Sequence, residues 1–443
     1  MSGPSTVTAD EKEKEAKADL KRVIDECAAA LQTVKGTERT EIFERMGDAY
    51  VKMNKLQKAI EFYKGAIDAG GKKVEIFDKA VQTLSQLNRG QEALNILEDG
   101  LSKVTTTLDK ARLYILMSQV KGRHFMFEGG KRNAETAVRL LQMLEMNDDE
   151  VVRVHGAACN ALASNLYSMG KFEEARVSYE LAMAHYRKVN DTDNYVRNLT
   201  SLGGIMDLMG EPKGALVVLE QAMDEAKRSD KKILQSWVAN NMGMSYAELG
   251  DFKKAEETLL ISMTLSKESD QMHVISLLNL NMADLYLEKG DYANAKKWGS
   301  RALADLRHAG DDIRSAWVLS ALSRVSIAEK DIPHAEKLIK DAMKILEGKQ
   351  ARITEARVIR TVGLVHAAKN DHANAVRYLR KSIEMCKLMG FAAEEARGRG
   401  NLALVLKGSG QIKEAAKEAA DARRIFLKIG AIHEIKKLDD AGM

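Results

Sequence analysis

The chain has 443 residues, 45% of them hydrophobic and 30% charged, which predicts a soluble protein that can bury a large core. It contains only 3 prolines and 5% aromatic residues, and its abundance of Ala, Leu, Lys and Glu favours an all-α fold. The net charge of +4 is too small to indicate a nucleic-acid-binding protein or an acidic tail.

The N-terminal segment is predicted to carry no targeting signal. Residues 1–8 are expected to be disordered, and residues 9–37 to form a capping helix with a charged start. The start lacks the apolar core of a signal peptide, and Ser2 excludes N-myristoylation. Three widely spaced cysteines do not fit a disulfide framework. These features predict a cytoplasmic protein, either free or associated with the cytoskeleton or a larger complex.

A turn residue followed five positions later by alanine recurs along the chain. Two early pairs, which begin at Asn54 and Asn88, lie 34 residues apart, and a degenerate unit near residue 130 follows them. Seven more pairs recur at an interval of 40 residues: Gly170/Ala175, Gly210/Ala215, Gly250/Ala255, Gly290/Ala295, Lys330/Ala335, Asn370/Ala375 and Gly410/Ala415. This period predicts about ten helix-turn-helix units.

Small residues repeat in step with these turns. One column lies seven residues before the turn, as at Gly203, Gly243 and Gly363. Small side chains let two helices approach closely, and the turn glycine or asparagine ends a helix by adopting left-handed backbone. Asp251 and Asp291, each directly after a turn, are predicted to cap the next helix. We therefore expect each unit to bury its apolar face by stacking on its neighbours.

Residues 41–67 resemble the tetratricopeptide repeat (TPR) family in residue type and spacing. The 40-residue units, joined by Asn-Asp, Ser-Asp or Gly-Asp, are similar to the arrays of LGN/Pins-type and rapsyn-type scaffolds. The resemblance implies an all-α TPR α-solenoid, a right-handed superhelix of about ten units between terminal capping helices. The residues that match the family pattern are Phe43, Met46, Gly47, Tyr50, Ala59, Tyr63 and Ala66.

The predicted TPR array covers residues 38–430, and residues 431–443 are expected to form a C-terminal cap or tail. The terminal units of a stacked array expose an apolar face, so both end segments are expected to cover one. The predicted turns lie near residues 54, 88, 130, 170, 210, 250, 290, 330, 370 and 410.

In a TPR array the first helix of each unit lines the concave face, so the resemblance also indicates candidate groove residues. Tryptophan and arginine are enriched at binding hot spots, arginine forks bind carboxylates, and asparagine amides can hold a peptide backbone. We predict a groove for a peptide or helix of a partner protein that is acidic and carries an apolar anchor. The predicted groove residues are Arg197, Trp237, Asn240, Asn241, Asn281, Asp284, Trp317, Arg324, Arg357, Arg360, Arg397 and Asn401.

Two functions fit this groove. The first is a non-catalytic scaffold or adaptor, and the second is a peptide-responsive regulator whose superhelix changes pitch when a ligand enters. Under either function, reversing Arg357 and Arg360 to Glu is predicted to weaken binding without unfolding the chain. Chaperone-tail binding is disfavoured, because the positions where the resemblance implies carboxylate-binding residues hold Glu44, Asp48, Asp78 and Gln82.

The sequence shows no motif that is typical of catalysis or of metal or cofactor binding. No residue set has the spacing of a catalytic centre, a metal site or a cofactor site, and the basic pairs lack interleaved aromatic residues. We therefore predict no enzyme activity, no metal and no cofactor. The partners are predicted to be other proteins, with no nucleic acid and no membrane insertion.

Overall fold

The computed structural model describes residues 9–443, with every side chain from residue 17 onward except those of residues 272 and 273. The predicted disordered segment 1–8 lies outside the described residues. The helices in chain order are α1 (Ala9–Ala30), α2 (Glu38–Lys52), α3 (Leu56–Asp68), α4 (Val74–Gln86), α5 (Gly90–Lys103), α6 (Thr107–Arg123), α7 (Phe127–Leu141), α8 (Asp149–Ser168), α9 (Phe172–Lys188), α10 (Thr192–Leu208), α11 (Pro212–Arg228), α12 (Lys232–Glu248), α13 (Phe252–Glu268), α14 (Met272–Lys289), α15 (Tyr292–His308), α16 (Asp312–Ala328), α17 (Ile332–Leu346), α18 (Arg352–Ala368), α19 (His372–Met389), α20 (Ala392–Gly408), α21 (Ile412–Ile429) and α22 (Ile432–Asp440).

These helices confirm the predicted all-α fold. Between α1 and α22 the described residues form ten consecutive helix-turn-helix pairs, from α2 with α3 to α20 with α21, and they contain no strand. Helix α1 falls in the segment expected to cap the N-terminus, and α22 falls in the segment expected to cap the C-terminus. The chain divides into two compact units, Met1–Ala161 and Leu162–Met443, and the division falls within α8.

The first unit shows why the repeat requires a small residue on its first helix. A Cβ atom placed on Gly47 of α2 would lie 2.5 Å from the ring of Tyr63 on α3, so a larger residue would push the two helices apart. Tyr63 also donates a hydrogen bond of 2.8 Å across the two helices, to Asp48 on α2. The core that these helices enclose contains the fully buried Phe77 and Leu113.

The turns of the second unit follow the 40-residue period. All seven predicted turn residues adopt left-handed backbone, with φ between 61° and 83°, including the non-glycine residues Lys330 and Asn370. The two predicted caps also form. Asp251 accepts a hydrogen bond of 3.2 Å from the backbone N–H of Lys254, and Asp291 accepts its equivalent at 3.1 Å.

The small-residue column explains how the two helices of each pair fit together. A Cβ atom placed on Gly203, Gly243 or Gly363 would lie 2.6 to 2.8 Å from the leucine that follows 16 positions later on the second helix. Each glycine therefore forms the hollow into which that leucine packs. The same contact is made in the pairs that begin with α10, α12 and α18.

The last helices of the second unit pack against its first ones. The ring of Phe391, just before α20, lies edge-on 6.2 Å from the ring of Phe172 at the start of α9. His433 on α22 lies 5.2 Å from Phe252 at the start of α13. These contacts join residues more than 180 positions apart, so the second unit closes on itself. The sequence pattern did not predict this closure.

Candidate functional site

Glu288 is the point at which three helices of the second unit meet through ion pairs. Arg324 on α16 donates a hydrogen bond of 2.9 Å to one oxygen of this carboxylate on α14. Lys437 on α22 donates one of 2.9 Å to the other oxygen. Burial alone would raise the pKa of Glu288, but the neighbouring cations, Arg324 foremost, outweigh burial and hold the pKa well below its usual range.

Glu394 on α20 is the most deeply buried acid of this region, with 2% of its surface exposed. The Nε of Arg360 on α18 donates to one of its oxygens, while Arg357 and Arg397 lie 3.7 and 3.8 Å from the other. Burial alone would raise the pKa of Glu394. The surrounding arginines, led by Arg360, reverse that effect and lower the pKa to about 2. The carboxylate is therefore ionised at neutral pH.

Arg397 on α20 connects helices that are far apart in the sequence. It donates hydrogen bonds of 3.0 Å to both oxygens of Glu248 on α12, which lies 149 positions earlier. Its Nε donates to Glu434 on α22 at 2.9 Å. Because this guanidinium is mostly buried, the bonds form away from bulk water and are stronger than surface ion pairs.

These groups make up the inner ion network, in which five cations face five carboxylates. Buried charges are tolerated when they are paired and hydrogen-bonded, and most members of the network meet that condition internally, with Arg357 and Asp284 as the exceptions. The structure thus brings four predicted groove arginines together, but it places carboxylates of the same chain beside them. That they bind acidic groups of a partner stays a prediction. The members are Arg324, Arg357, Arg360, Arg397, Lys437, Glu248, Asp284, Glu288, Glu394 and Glu434.

A cavity of about 70 Å³ lies within this network. The Arg357 guanidinium covers the ring of Trp317 at 3.9 Å, and its Nε and Nη1 atoms have no hydrogen-bond partner among the described residues. Asp284 also lines the cavity, and burial raises the pKa of its carboxyl group. One buried water needs roughly 10–15 Å³, so a few waters fit, whereas a helix about 10 Å wide does not.

Arg197 and Trp237 form a second arginine-tryptophan stack, with the guanidinium carbon 4.3 Å from the ring centroid. Both belong to the column that lies thirteen residues before each turn, as do Trp317 and Arg357. Each of the two tryptophans in this column is therefore covered by the arginine that holds the same position in a neighbouring repeat. This stack lies outside the residues that line the cavity.

The predicted asparagines form a chain of hydrogen bonds across three first helices. Asn281 donates to the side-chain oxygen of Asn240 at 2.7 Å, and Asn240 donates to Asn241 at 3.1 Å. Asn241 in turn donates to the backbone oxygen of Thr200 at 2.8 Å. These amides thus make hydrogen bonds within the chain, and that they hold the backbone of a partner stays a prediction. Asn401, half-buried on α20, lies outside this chain and outside the cavity lining.

A larger cleft, of about 650 Å³, opens beside the inner ion network. Its lining is mainly apolar and comes from the ends of α14, α16 and α18, with Leu287, Ile327 and Leu364 as the largest aliphatic residues. Its charged end is formed by Glu288 with its partners Arg324 and Lys437, and Lys289 also lines the space. We call this space the apolar cleft. Arg324, one of the predicted groove residues, and Leu364 both lie six residues before a turn of the repeat.

Family models described as tetratricopeptide repeat match residues 40–69, 155–228 and 278–303. The chain contains tetratricopeptide repeats. The matched segments contain the predicted groove residues Arg197, Asn281 and Asp284. No curated protein sequence matches the TPR chain.

Solved structures show the same TPR solenoid fold. A Rap protein complexed with competence and sporulation factor has a TM-score of 0.58 and 13% identity, over 84% of this chain and 99% of that one. Aspartyl phosphate phosphatase F from Bacillus subtilis has a TM-score of 0.53 and 14% identity, over 79% of this chain and 97% of that one. At these identities the likeness establishes the fold of the TPR chain. No described helix is both long and apolar enough to cross a membrane.

Four of the five acids of the inner ion network, all except Asp284, were not predicted from the sequence, and neither was the part played by α22. A signal was present, because Glu248 and Glu288 lie 40 residues apart, as do Glu394 and Glu434. Acidic residues therefore recur with the TPR period, as the arginines do. Their partners could not be inferred from it, because the repeat alone does not reveal which helices meet across the closed unit.

Proposed function

We propose that this TPR protein is a non-catalytic protein-interaction scaffold that holds a segment of a partner protein in the apolar cleft. The observation that carries this proposal is the cleft itself, whose volume of about 650 Å³ lies within the range of roughly 300–1,000 Å³ that is usual for ligand sites. Its aliphatic lining suits an apolar anchor, and its charged end gives the segment a direction.

The partner segment in this proposal is anchored by apolar side chains, with charge in a secondary role. An acidic segment at the cleft would have to displace Glu288 from both Arg324 and Lys437. Leaving a buried carboxylate unpaired is costly, so displacement offsets most of what a new ion pair contributes. Burial of aliphatic groups against Leu364 and its neighbours carries no such cost.

The test compares two double variants of the full chain in affinity capture from the source cell. Ile327→Glu with Leu364→Glu places charges in the apolar cleft, and Val177→Glu with Val217→Glu places the same charges on exposed sites of α9 and α11. We expect the cleft variant to lose a protein that the wild type and the control both retain. If every protein retained by the wild type is also retained by the folded cleft variant, the cleft is not the binding site.

A second candidate function, the peptide-responsive regulator, is favoured by the ion pairs that span the closed unit. A change of pitch would break the contacts of Arg397 with Glu248 and of Lys437 with Glu288. A protein of the same fold is known in complex with competence and sporulation factor. On this proposal, Arg397→Met with Lys437→Met expands the chain in small-angle scattering. An unchanged radius of gyration would leave the scaffold without a switching role.

A further inference from the structure

The second helices of the last four repeats present a row of cations on the outer surface. The residue seven positions after the turn is Lys297 on α15, Lys337 on α17, Arg377 on α19 and Lys417 on α21. All four side chains are exposed. We call these four residues the basic ladder. The equivalent positions of the three preceding repeats hold Val177, Val217 and Glu257, so the row is confined to one end of the second unit.

The helix period explains why the basic ladder faces solvent. Buried residues of these second helices lie 5, 9, 12 and 16 positions after the turn, as with Ala375, Leu379, Ser382 and Cys386. At about 100° per residue, the ladder position points roughly 190° away from the centre of that buried stripe. The four cations therefore stand on the side of each helix that is farthest from the first helices.

The ladder cations are also free of ion pairs, unlike their neighbours. Lys296 contacts Glu329 at 2.8 Å and Lys340 contacts Glu336 at 2.9 Å. Within the described part of the chain, no carboxylate pairs with a ladder residue, and Arg377 only rests over the ring of Tyr378 at 4.7 Å. Their charge is thus available to a partner.

The charge of the surrounding helices reinforces the row. Helices α15, α17, α19 and α21 together contain 16 Lys and Arg against 7 Asp and Glu, a net charge of +9. In contrast, α9, α11 and α13 each contain three Lys or Arg residues and three Asp or Glu residues, so the two signs balance. Since the whole chain carries only +4, this charge is a local accumulation. Such a surface attracts and orients an anionic partner.

We infer that the basic ladder is a docking surface for an acidic protein segment. Two exposed leucines, Leu388 and Leu427, lie at the C-terminal ends of α19 and α21, so the segment also has apolar contacts to make. The surface matches nucleic acid less well. Proteins that bind single strands stack the bases on several exposed aromatic side chains, whereas Tyr292 is the one exposed aromatic residue among the described residues of these four helices. The inference rests on the proposed scaffold function and gives the chemistry of a partner at a second face.

The test uses the full chain and fluorescein-labelled poly-L-glutamate as the probe, with fluorescence anisotropy as the readout. The ladder variant is Lys297→Glu, Lys337→Glu, Arg377→Glu and Lys417→Glu. The matched control reverses four exposed lysines of α11 and α13, Lys213, Lys227, Lys253 and Lys267, and so changes the net charge equally. We expect salt-dependent binding that weakens about tenfold or more in the ladder variant, and far less in the control.

Equal weakening in both variants would overturn the inference, since net charge alone would then explain binding. It would also fall if oligothymidylate or phosphatidylserine vesicles, and not poly-L-glutamate, bound in a ladder-dependent manner. Circular dichroism establishes that both variants remain helical. If poly-L-glutamate fails to bind while the partner of the apolar cleft is still captured, the scaffold function stands and only the ladder is rejected.

Discussion

Replacing Glu394 with Gln removes the central carboxylate of the inner ion network while keeping its shape. The fall of the pKa from 4.5 to about 2 corresponds to about 3 kcal/mol of stability at neutral pH. Breaking a buried ion pair and leaving a cation such as Arg360 without its partner generally costs about 3–5 kcal/mol. We therefore expect Glu394→Gln to lower the free energy of unfolding by about 3–5 kcal/mol, and the melting temperature by roughly 5–10 °C.

The pH dependence of this effect has a definite sign. Because the folded pKa of Glu394 is lowered, its contribution is fully present above the unfolded pKa of about 4.5 and is lost as pH falls towards 2. The stability difference between wild type and variant should narrow across that window in urea unfolding followed by circular dichroism. The control is Glu384→Gln, an exposed acid on α19. A Glu394→Gln protein within about 1 kcal/mol of wild type at pH 7 would refute the reasoning.

Three further predictions concern packing, backbone and charge. Gly243→Leu should destabilise the chain by about 1–3 kcal/mol, because even a Cβ there would lie 2.7 Å from Leu259; unchanged thermal unfolding would contradict it. Lys330→Gly should raise the melting temperature, since φ is 63° and glycine removes a strain of roughly 1 kcal/mol; a fall would count against it. The sequence predicted that reversing Arg357 and Arg360 to Glu leaves the fold intact. In the structure Arg360 is only 5% exposed and pairs with Glu394, so the double reversal should unfold the second unit. An unchanged circular dichroism spectrum of the double variant would contradict that expectation.

The parts of the fold that could be predicted depend on contacts within one repeat. The local requirements of a repeat are a left-handed residue at Gly250, a helix cap at Asp251 and a small residue at Gly243. Each of them selects a residue type at a fixed position in the sequence of the repeat. Forty residues later the same requirements recur, which made the turns and helix pairs predictable. Their agreement with the structure follows from that repetition of local geometry.

The closure of the second unit could not be predicted from the same signals. It depends on the small rotation between neighbouring repeats, summed over several of them, and no single repeat records that sum. The pairing of Arg397 with Glu248 is a consequence of closure, so the sequence showed the arginine and the acid without their contact. For the same reason the sequence predicted the four groove arginines of the inner ion network, but not four of the five acids that face them.

The division of charge between the two faces of the second unit gives a way to tell its binding surfaces apart. Inside, five cations meet five carboxylates, so a segment in the apolar cleft gains little from its own charge. Outside, four helices carry a net charge of +9 and the ladder cations are unpaired. Screening by salt weakens exposed ionic contacts far more than apolar burial. Partner binding that survives high salt therefore indicates the cleft, and binding that salt abolishes indicates the ladder.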